Sequence, residues 1–236
     1  MNTNKVALVS GGNRGLGLET CRQLAKLDYK VYLGSRNLQA GNEAARSIGD
    51  ERVEAVKLDV TSQADVHALA QHIEYGPGRL DVLVNNAGIM IDSELGRSSS
   101  ILDTDIDIIE RSLQVNTLAP IRLINAMLPL MERVNDARIV NISSGMGQLC
   151  DMGGHSPGYR ISKTALNAVT RIFAAELDPA KFRVNALCPG WVRTDMGGKN
   201  ADLSVEEGVD TAIWLATSDE ANGTGGYYRK RKLIDW

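Results

Sequence analysis

Residues 6–17 read VALVSGGNRGLG, an apolar run that leads directly into a glycine-rich turn and then into a segment with helical periodicity. Gly11 permits a tight turn, while Gly15 and Gly17 let the backbone approach a phosphate group closely. A glycine-rich turn between a strand and a helix is the context that a dinucleotide-binding site requires. The candidate contacts in this turn are Gly11, Asn13, Arg14, Gly15, Leu16 and Gly17.

Short apolar runs alternate with helical segments from this turn to about position 215. The alternation predicts an α/β fold: a doubly wound, parallel sheet of about seven strands with helices on both faces. The predicted strands are 5–10, 30–35, 53–58, 80–85, 137–143, 182–187 and a short one near 226–228. The predicted helices are 16–28, 38–48, 62–75, 104–133, 158–177 and 205–217.

Neither a linker nor an internal repeat divides the chain, so we expect residues 1–236 to form a single domain. Three segments, 89–103, 145–157 and 188–204, are too long for simple connections, and each follows the carboxyl end of a strand. Ligands bind at that edge of an open α/β sheet. We therefore expect the substrate loops there.

Composition and charge exclude several classes of protein. The 236 residues include 26 Lys+Arg and 29 Asp+Glu, a net charge of −3, and 43% are hydrophobic. The slightly acidic balance argues against a nucleic-acid partner, and no apolar run approaches the roughly 18 residues of a membrane helix. Three widely spaced cysteines without a CxxC motif indicate a reducing compartment. We expect a cytoplasmic protein that does not associate with membranes.

The residues after the second strand indicate which dinucleotide is bound. An acid at this point would bind the adenosine ribose, but the sequence has Ser35, Arg36 and Asn37. Arg36 together with Arg14 could clamp a 2′-phosphate, although both arginines could also be merely solvated. We predict NADP(H) as the preferred cofactor and NAD(H) as the alternative. Further candidate contacts with the adenine and ribose are Asp59, Val60, Asn86, Ala87 and Gly88.

Tyr159 and Lys163 lie four residues apart on a predicted helix, so both side chains project from one face. Ser143 and Ser144 close the preceding strand at the ligand edge. A phenol pKa of about 10 is roughly two to three units too high for acid–base chemistry at neutral pH. One lysine charge at about 4 Å contributes on the order of 4 kcal/mol at an effective dielectric of about 20, enough for that shift. By itself, the pair also fits an exposed helix surface.

Five motifs together resemble the short-chain dehydrogenase/reductase (SDR) family over nearly the whole chain: SGGNRGLG, NNAG, IVNISS, YRISK and PGWVRTDM. The resemblance implies a Rossmann fold and hydride transfer between a nicotinamide cofactor and a carbonyl or alcohol. By motif position, it implies a catalytic tetrad of Asn116, Ser144, Tyr159 and Lys163. In that scheme Tyr159 protonates the carbonyl oxygen and Ser144 hydrogen-bonds it. Lys163 lowers the tyrosine pKa and holds the nicotinamide ribose, and Asn116 positions a water.

The same resemblance places cofactor contacts in the loop after the sixth strand: Pro189, Gly190, Val192 and Thr194. Tyr159 and Lys163 also contact the cofactor in that scheme. Within the family, the opening motif, Arg36, Trp191 and the ending GGYYRKRKLIDW are closest in appearance to carbonyl reductases that use NADPH.

Two departures from the family pattern bear on the expectations. Ser10 stands where the family usually has threonine, which keeps the hydroxyl. Tyr159 follows Ser144 at a spacing about two residues longer than usual, which leaves Ser143 as an alternative to Ser144. This insertion is far smaller than the one in monomeric animal carbonyl reductases. The helices used for family dimers are then uncovered, so we expect a homodimer or homotetramer.

The loop residues predict an apolar pocket for a small to medium neutral ketone or aldehyde: Ile89, Met90, Met146, Leu149, Met152, Trp191 and Met196. We predict no metal site, because the histidines lack a ligand cluster, and we leave His155 out of the acid–base chemistry. Cys188 is interpreted as a small core residue and 229–232 as a solvated charge run.

The predicted function is an NADPH-dependent carbonyl reductase. The alternatives are a non-catalytic dinucleotide-binding redox sensor and an NAD-dependent alcohol dehydrogenase of the same family. Epimerases and dehydratases with the same Tyr-x-x-x-Lys pattern need a larger carboxyl-terminal part than this chain has after Lys163.

Overall fold

The computed structural model describes residues 5–92 and 100–236, and one sheet runs through this part of the chain. Its strands are β1 Val6–Ser10, β2 Lys30–Ser35, β3 Val53–Lys57, β4 Val82–Asn85, β5 Ala137–Ile142, β6 Phe182–Leu187, β7 Tyr227–Arg229 and β8 Lys232–Leu233. They are arranged in the order β3-β2-β1-β4-β5-β6-β7-β8. The first seven pair in parallel, which confirms the predicted doubly wound α/β fold.

The eighth strand was not predicted. β8 pairs antiparallel with β7 through a two-residue turn in which Lys230 and Arg231 both adopt positive φ, 50° and 60°. Such a turn usually carries Asn or Gly, so the Lys-Arg dipeptide gave no hairpin signal. Residues 229–232 are all exposed, as a solvated charge run should be, but they also form the end of β7, the turn and the start of β8. Arg229 ends β7 and points its guanidinium at Cys188, and Arg231 pairs with Asp210.

The helices cover both faces of the sheet. They are α1 Gly15–Lys26, α2 Leu38–Ile48, α3 Gln63–Tyr75, α4 Ile106–Leu113, α5 Ala119–Met131, α6 Pro157–Glu176 and α7 Val205–Thr217. One apolar core lies between the sheet and α3, α5 and α6, and a second lies between the sheet and α1, α2 and α7. Strands of continuous apolar sequence are expected where both faces are covered in this way.

The predicted helix 104–133 is interrupted. A π-helical segment, Gln114–Leu118, separates α4 from α5, and the amide of Ala119 donates to the carbonyl of Gln114 five residues earlier. Pro120 follows at the start of α5 and has no amide hydrogen, so it cannot continue the regular ladder. Single π turns inside α-helices are frequently found at functional sites, and this one carries Asn116.

The ligand edge of the sheet carries two described loops, between β5 and α6 and between β6 and α7. Of the third predicted loop, 89–103, the part from 93 to 99 lies outside the described residues. No described helix combines the length and apolar character needed to cross a membrane.

Candidate functional site

The turn after β1 is tied to the end of β4 by a side chain. The Ser10 hydroxyl accepts the amides of Asn86 and Ala87 at 3.0 and 3.1 Å. In return, Asn86 Nδ2 donates to the carbonyls of Ser10 and Gly11 at 2.9 and 3.0 Å. The serine that replaces the family's threonine therefore makes its contacts through the retained hydroxyl. These bonds fix the turn against the NNAG motif.

The glycine turn has the shape that a pyrophosphate requires. Gly11 adopts a φ of +64°. A Cβ on this residue would lie 3.0 Å from the Cα of Ala87, so glycine lets the two backbones come close together. A Cβ on Gly17 would overlap the carbonyl oxygen of Gly11 and lie 2.5 Å from Asn86 Nδ2. α1 begins at Gly15, the Arg14 side chain does not cap it, and its first turn holds no acid. Its leading amides are thus available to an anion, so the predicted residues 11–17 fit a dinucleotide phosphate.

The two cations predicted for a 2′-phosphate, Arg36 and Arg14, have different surroundings. Arg14 Nη1 forms an ion pair with Asp195 Oδ2 at 2.9 Å, whereas Arg36 is exposed at the end of β2. Lys57 Nζ donates to the Arg36 carbonyl at 2.8 Å. Lys57 was not among the predicted residues, although its position at the end of β3, opposite Ser35, is a usable signal. Lys57, which also pairs with Asp65 Oδ2 at 3.4 Å, is thus a further cation beside Arg36.

The acidic residue of this region lies next to these cations. Asp59 Oδ1 accepts from both the amide and the hydroxyl of Thr61, at 2.9 and 2.7 Å. The Thr61 hydroxyl contributes most to a lowered Asp59 pKa, and the charges of Arg36 and Lys57 act in the same direction. Val60 follows with its carbonyl bonded to Arg122. Both predicted residues therefore have fixed positions beside β3.

The catalytic candidates meet where β5 and α6 face each other. Ser144 follows β5 in an extended conformation, and its side chain faces the phenol of Tyr159, whose ionised form it favours as a hydrogen-bond donor. Ser143 instead points into the protein, donating to Asn167 Oδ1 at 2.6 Å. The structure thus places Ser144, and not the alternative Ser143, beside the tyrosine. The longer loop of residues 145–156 does not separate them.

Lys163 lies one turn after Tyr159 and is 4% exposed. Its Nζ donates to the Ile142 carbonyl at 2.8 Å and lies 5.8 Å from the centre of the Tyr159 ring. Burial lowers the Lys163 pKa to about 8. Burial also raises the Tyr159 pKa to about 12, against the smaller effect of the Ser144 hydrogen bond. This is opposite to the expected lowering by Lys163, because desolvation dominates and the ammonium faces a backbone carbonyl.

The lowered Lys163 pKa gives a testable dependence of stability on pH. The ordinary value is 10.5 and the folded value about 8, so the buried charge opposes folding below about pH 8. That opposition disappears as the pH rises toward 10.5. At about 1.4 kcal/mol per pKa unit, the full effect is about 3 kcal/mol. Relative to Lys163→Met, the wild-type free energy of unfolding should therefore rise across this window.

Urea unfolding at several pH values measures that difference. Tyr159 is present in both proteins, so its own titration cancels in the comparison. Lys26→Met, on the exposed end of α1, is the control and should track the wild type at every pH. A constant difference between wild type and Lys163→Met from pH 7 to pH 11 would contradict the lowered pKa.

Asn116 is committed to protein partners. Its Oδ1 accepts the Ile89 amide at 2.8 Å, and its Nδ2 donates to the Ile89 carbonyl and to Ser162 Oγ, both at 2.9 Å. The Gly88 backbone lies between Asn116 and Lys163, since a Cβ there would be 3.2 Å from Asn116 Oδ1 and 3.5 Å from Lys163 Nζ. The NNAG motif is thereby held against both predicted catalytic residues.

The loop after β6 meets the glycine turn. A Cβ placed on Gly15 would lie 3.3 Å from the methyl group of Thr194, so these two predicted contact residues are neighbours. Val192 is buried and forms an isolated parallel bridge with Leu203. Gly190, after Pro189, has a φ of +85°. The predicted nicotinamide loop therefore closes the same site.

Cys188 does more than fill the core, which corrects the sequence interpretation. Its Sγ accepts the amides of Gly145 and Gly190 at 3.1 and 3.4 Å, and Arg229 Nη2 at 3.0 Å. It therefore joins the loop after Ser144 to the loop after β6. No sequence signal indicated this role, because it depends on three segments far apart in the chain.

The mouth of the site is apolar. Four of the predicted pocket residues are exposed at this edge: Leu149, Met152, Trp191 and Met196. The carboxyl-terminal residues brace the loop that carries two of them, since the Cys150 amide donates to the Trp236 carbonyl at 3.1 Å and Gln148 Nε2 to the Asp235 carbonyl at 2.8 Å. The Trp236 ring stacks on Tyr227. Trp236 was not among the predicted site residues.

Comparisons with known proteins agree with this geometry. The family model described as short chain dehydrogenase matches residues 5–203. The chain is 32% identical to (+)-neomenthol dehydrogenase of Arabidopsis thaliana, over 98% of each chain. It is 29% identical to carbonyl reductase [NADPH] 1 of Homo sapiens, over 98% of this chain and 97% of that one. The structure of NADPH-bound carbonyl reductase from chicken fatty liver aligns with a TM-score of 0.86 and 29% identity, over 99% of both chains.

Proposed function

This chain belongs to the short chain dehydrogenase family and is an NAD(P)-dependent oxidoreductase, and from that premise we propose that it reduces small to medium apolar ketones or aldehydes with NADPH. The observation that carries the proposal is the contact between the buried Tyr159 phenol and Ser144, beside a glycine turn that fits a dinucleotide. Burial raises the Tyr159 pKa to about 12, so the phenol is protonated at neutral pH. A protonated phenol is the form that a carbonyl oxygen needs during reduction.

The protein residues divide the work around the carbonyl group. When bound, the cofactor supplies the hydride. Tyr159 gives its proton to the carbonyl oxygen, and the Ser144 hydroxyl donates a hydrogen bond to the same oxygen. Lys163 holds the nicotinamide ribose, and Asn116 keeps the NNAG strand end in place through Ile89. The apolar side chains at the mouth favour a neutral substrate.

The cofactor would lie across the ligand edge, from the end of β2 to the loop after β6. The residues that would hold it are Gly11, Asn13, Arg14, Gly15, Leu16, Gly17, Arg36, Asp59, Val60, Asn86, Ala87, Gly88, Tyr159, Lys163, Pro189, Gly190, Val192 and Thr194. We add Lys57, because its ammonium lies beside the backbone of Arg36. The human and chicken relatives, whose names include NADPH, support the choice of NADP(H) over NAD(H).

Arg36→Asp should reverse the cofactor preference. The guanidinium would lose its charge-assisted bonds to the 2′-phosphate, worth about 1.5–3 kcal/mol, so NADPH affinity should fall about tenfold to a hundredfold. The new carboxylate can accept from a ribose hydroxyl, so NADH affinity should hold or improve. Fluorescence titration with both cofactors measures this. Arg46→Asp, at the exposed end of α2, is the control and should change neither affinity; an unchanged preference in Arg36→Asp removes Arg36 from the site.

We further propose a cytoplasmic homodimer or homotetramer with residues 1–236 as one domain. Support for self-association comes from apolar side chains exposed around the outer surfaces of α4, α5 and α6: Ile106, Leu118, Ile161 and Ile172. The alignment with the Arabidopsis relative runs over 291 positions, whereas this chain has 236 residues, so that relative carries inserted residues that this chain lacks.

Reduction of a ketone panel with NADPH, with the alcohol identified as product, tests the catalytic proposal. Sedimentation of the same protein tests its assembly.

A further inference from the structure

The N-cap residue of α6, the helix that carries Tyr159, does not cap the first amides of the helix. Ser156 and the preceding His155 both have positive φ, 51° and 62°, and the Ser156 side chain makes no capping bond. The first amides of a helix have no partner within it, and a buried amide without an acceptor is costly. α6 enters the protein here, because Pro157, Gly158 and Tyr159 are all buried. Its first amides therefore need an acceptor from elsewhere in the chain.

That acceptor is Asp92, seven residues after the end of β4. Its side chain is only 2% exposed. Oδ1 accepts the Gly158 amide at 2.7 Å, and Oδ2 accepts the Tyr159 amide at 3.1 Å. Both oxygens of one carboxylate thus bind consecutive amides at the positive end of α6, where a negative charge is stabilised. Gly158 leaves room for this contact, since a Cβ there would lie 3.2 Å from Asp92 Oδ1.

The other side of the Tyr159 peptide is also held. The Ser162 hydroxyl donates to the Tyr159 carbonyl at 2.9 Å, and it accepts from Asn116 Nδ2 at 2.9 Å. Asn116 in turn binds both the amide and the carbonyl of Ile89, three residues before Asp92. The bonds form a closed ring that runs through Asn116 and the loop after β4. Asp92 is the charged member of this ring.

We propose that Asp92 is a positioning residue for Tyr159: it fixes the backbone of the tyrosine, and so the direction of the phenol toward the substrate carbonyl. This inference rests on the proposed function, which uses Tyr159 as the proton donor. The carboxylate does not touch the reacting atoms. It acts through the two amides that it binds, and it links the mouth loop after β4 to the tyrosine.

Asp92→Ala should lower kcat for ketone reduction while NADPH affinity stays the same, because the glycine turn lies on other elements. A misplaced reacting group costs on the order of a hundredfold, so we expect a loss of about tenfold to a hundredfold in kcat. Asp92→Asn, which keeps the shape and one acceptor oxygen, should restore part of that loss. Asp105→Ala removes a comparable cap from α4 and is the matched control; it should leave kcat unchanged.

A double variant separates positioning from general damage. Once Tyr159 is replaced by Phe, adding Asp92→Ala should cause no further loss of the residual turnover. The proposal would be overturned if Asp92→Ala lowered the turnover of Tyr159→Phe by the same factor as that of the wild type. Wild-type kcat in the single variant Asp92→Ala would overturn it too. A parallel fall in kcat and NADPH affinity in both Asp92 variants would overturn it as well. If Tyr159→Phe itself turns over normally, the proposed function fails first, and the two failures are thereby distinguished.

Discussion

Tyr159→Phe should bind NADPH as the wild type does and lose carbonyl reduction by roughly a hundredfold to ten-thousandfold, the range of a general acid. The substitution removes one oxygen and leaves the ring, which is buried between α6 and the ligand edge. The cofactor residues on the glycine turn are untouched. Fluorescence titration gives the affinity, and steady-state consumption of NADPH with a ketone gives kcat.

A second tyrosine provides the matched control. Tyr75 lies at the end of α3 and is 86% exposed, so Tyr75→Phe should match the wild type in both measurements. Near-normal kcat in Tyr159→Phe would show that the proton comes from another group. Loss of NADPH affinity together with kcat would show that the phenol serves cofactor binding rather than proton transfer.

Gly17→Ala should lower the affinity for NADPH by about tenfold to a hundredfold or more. The new Cβ would overlap the Gly11 carbonyl oxygen and crowd Asn86 Nδ2, which holds the same carbonyl. Neither neighbour is the free end of a flexible side chain, so the turn itself must move. Overpacking of this kind costs about 1–3 kcal/mol, and here it falls on the segment proposed to contact the pyrophosphate.

Gly49→Ala is the control for this variant. Gly49 ends α2 with a φ of +72° and has open space around it, so alanine there strains the backbone without crowding anything. It should lower the unfolding temperature and leave NADPH affinity unchanged. Equal loss of affinity in both variants would attribute the effect to stability. Unchanged affinity in Gly17→Ala would contradict the role of the turn.

Much of the fold could be predicted because local patterns and the sheet agree. The seven parallel strands are apolar runs between helical segments, and the observed bounds differ from the predicted ones by at most a few residues. The break within 104–133 was missed because periodicity continues through it; the π segment depends on backbone bonds around Pro120. β8 was missed because its turn uses residues without a turn preference.

The candidate site was predictable where its parts are motifs and not where they depend on tertiary contact. Tyr159 and Lys163 lie one turn apart on α6, as their spacing of four predicts. The spacing to Ser144 left Ser143 open, and Ser143 is turned away by Asn167, a partner that no motif names. The direction of the Tyr159 pKa could not be predicted, because it depends on burial rather than on the neighbouring lysine. The roles of Asp92, Cys188 and Lys57 are visible only in three dimensions.

The central claim is that this chain reduces apolar carbonyl compounds with NADPH, using Tyr159 as the proton donor. Consumption of NADPH by the purified protein, measured against a panel of ketones, aldehydes and quinones with NADH in parallel, tests it most directly. We expect turnover of apolar carbonyls with NADPH preferred over NADH. Tight NADPH binding without turnover of any member of the panel would contradict it and favour a dinucleotide-binding redox sensor.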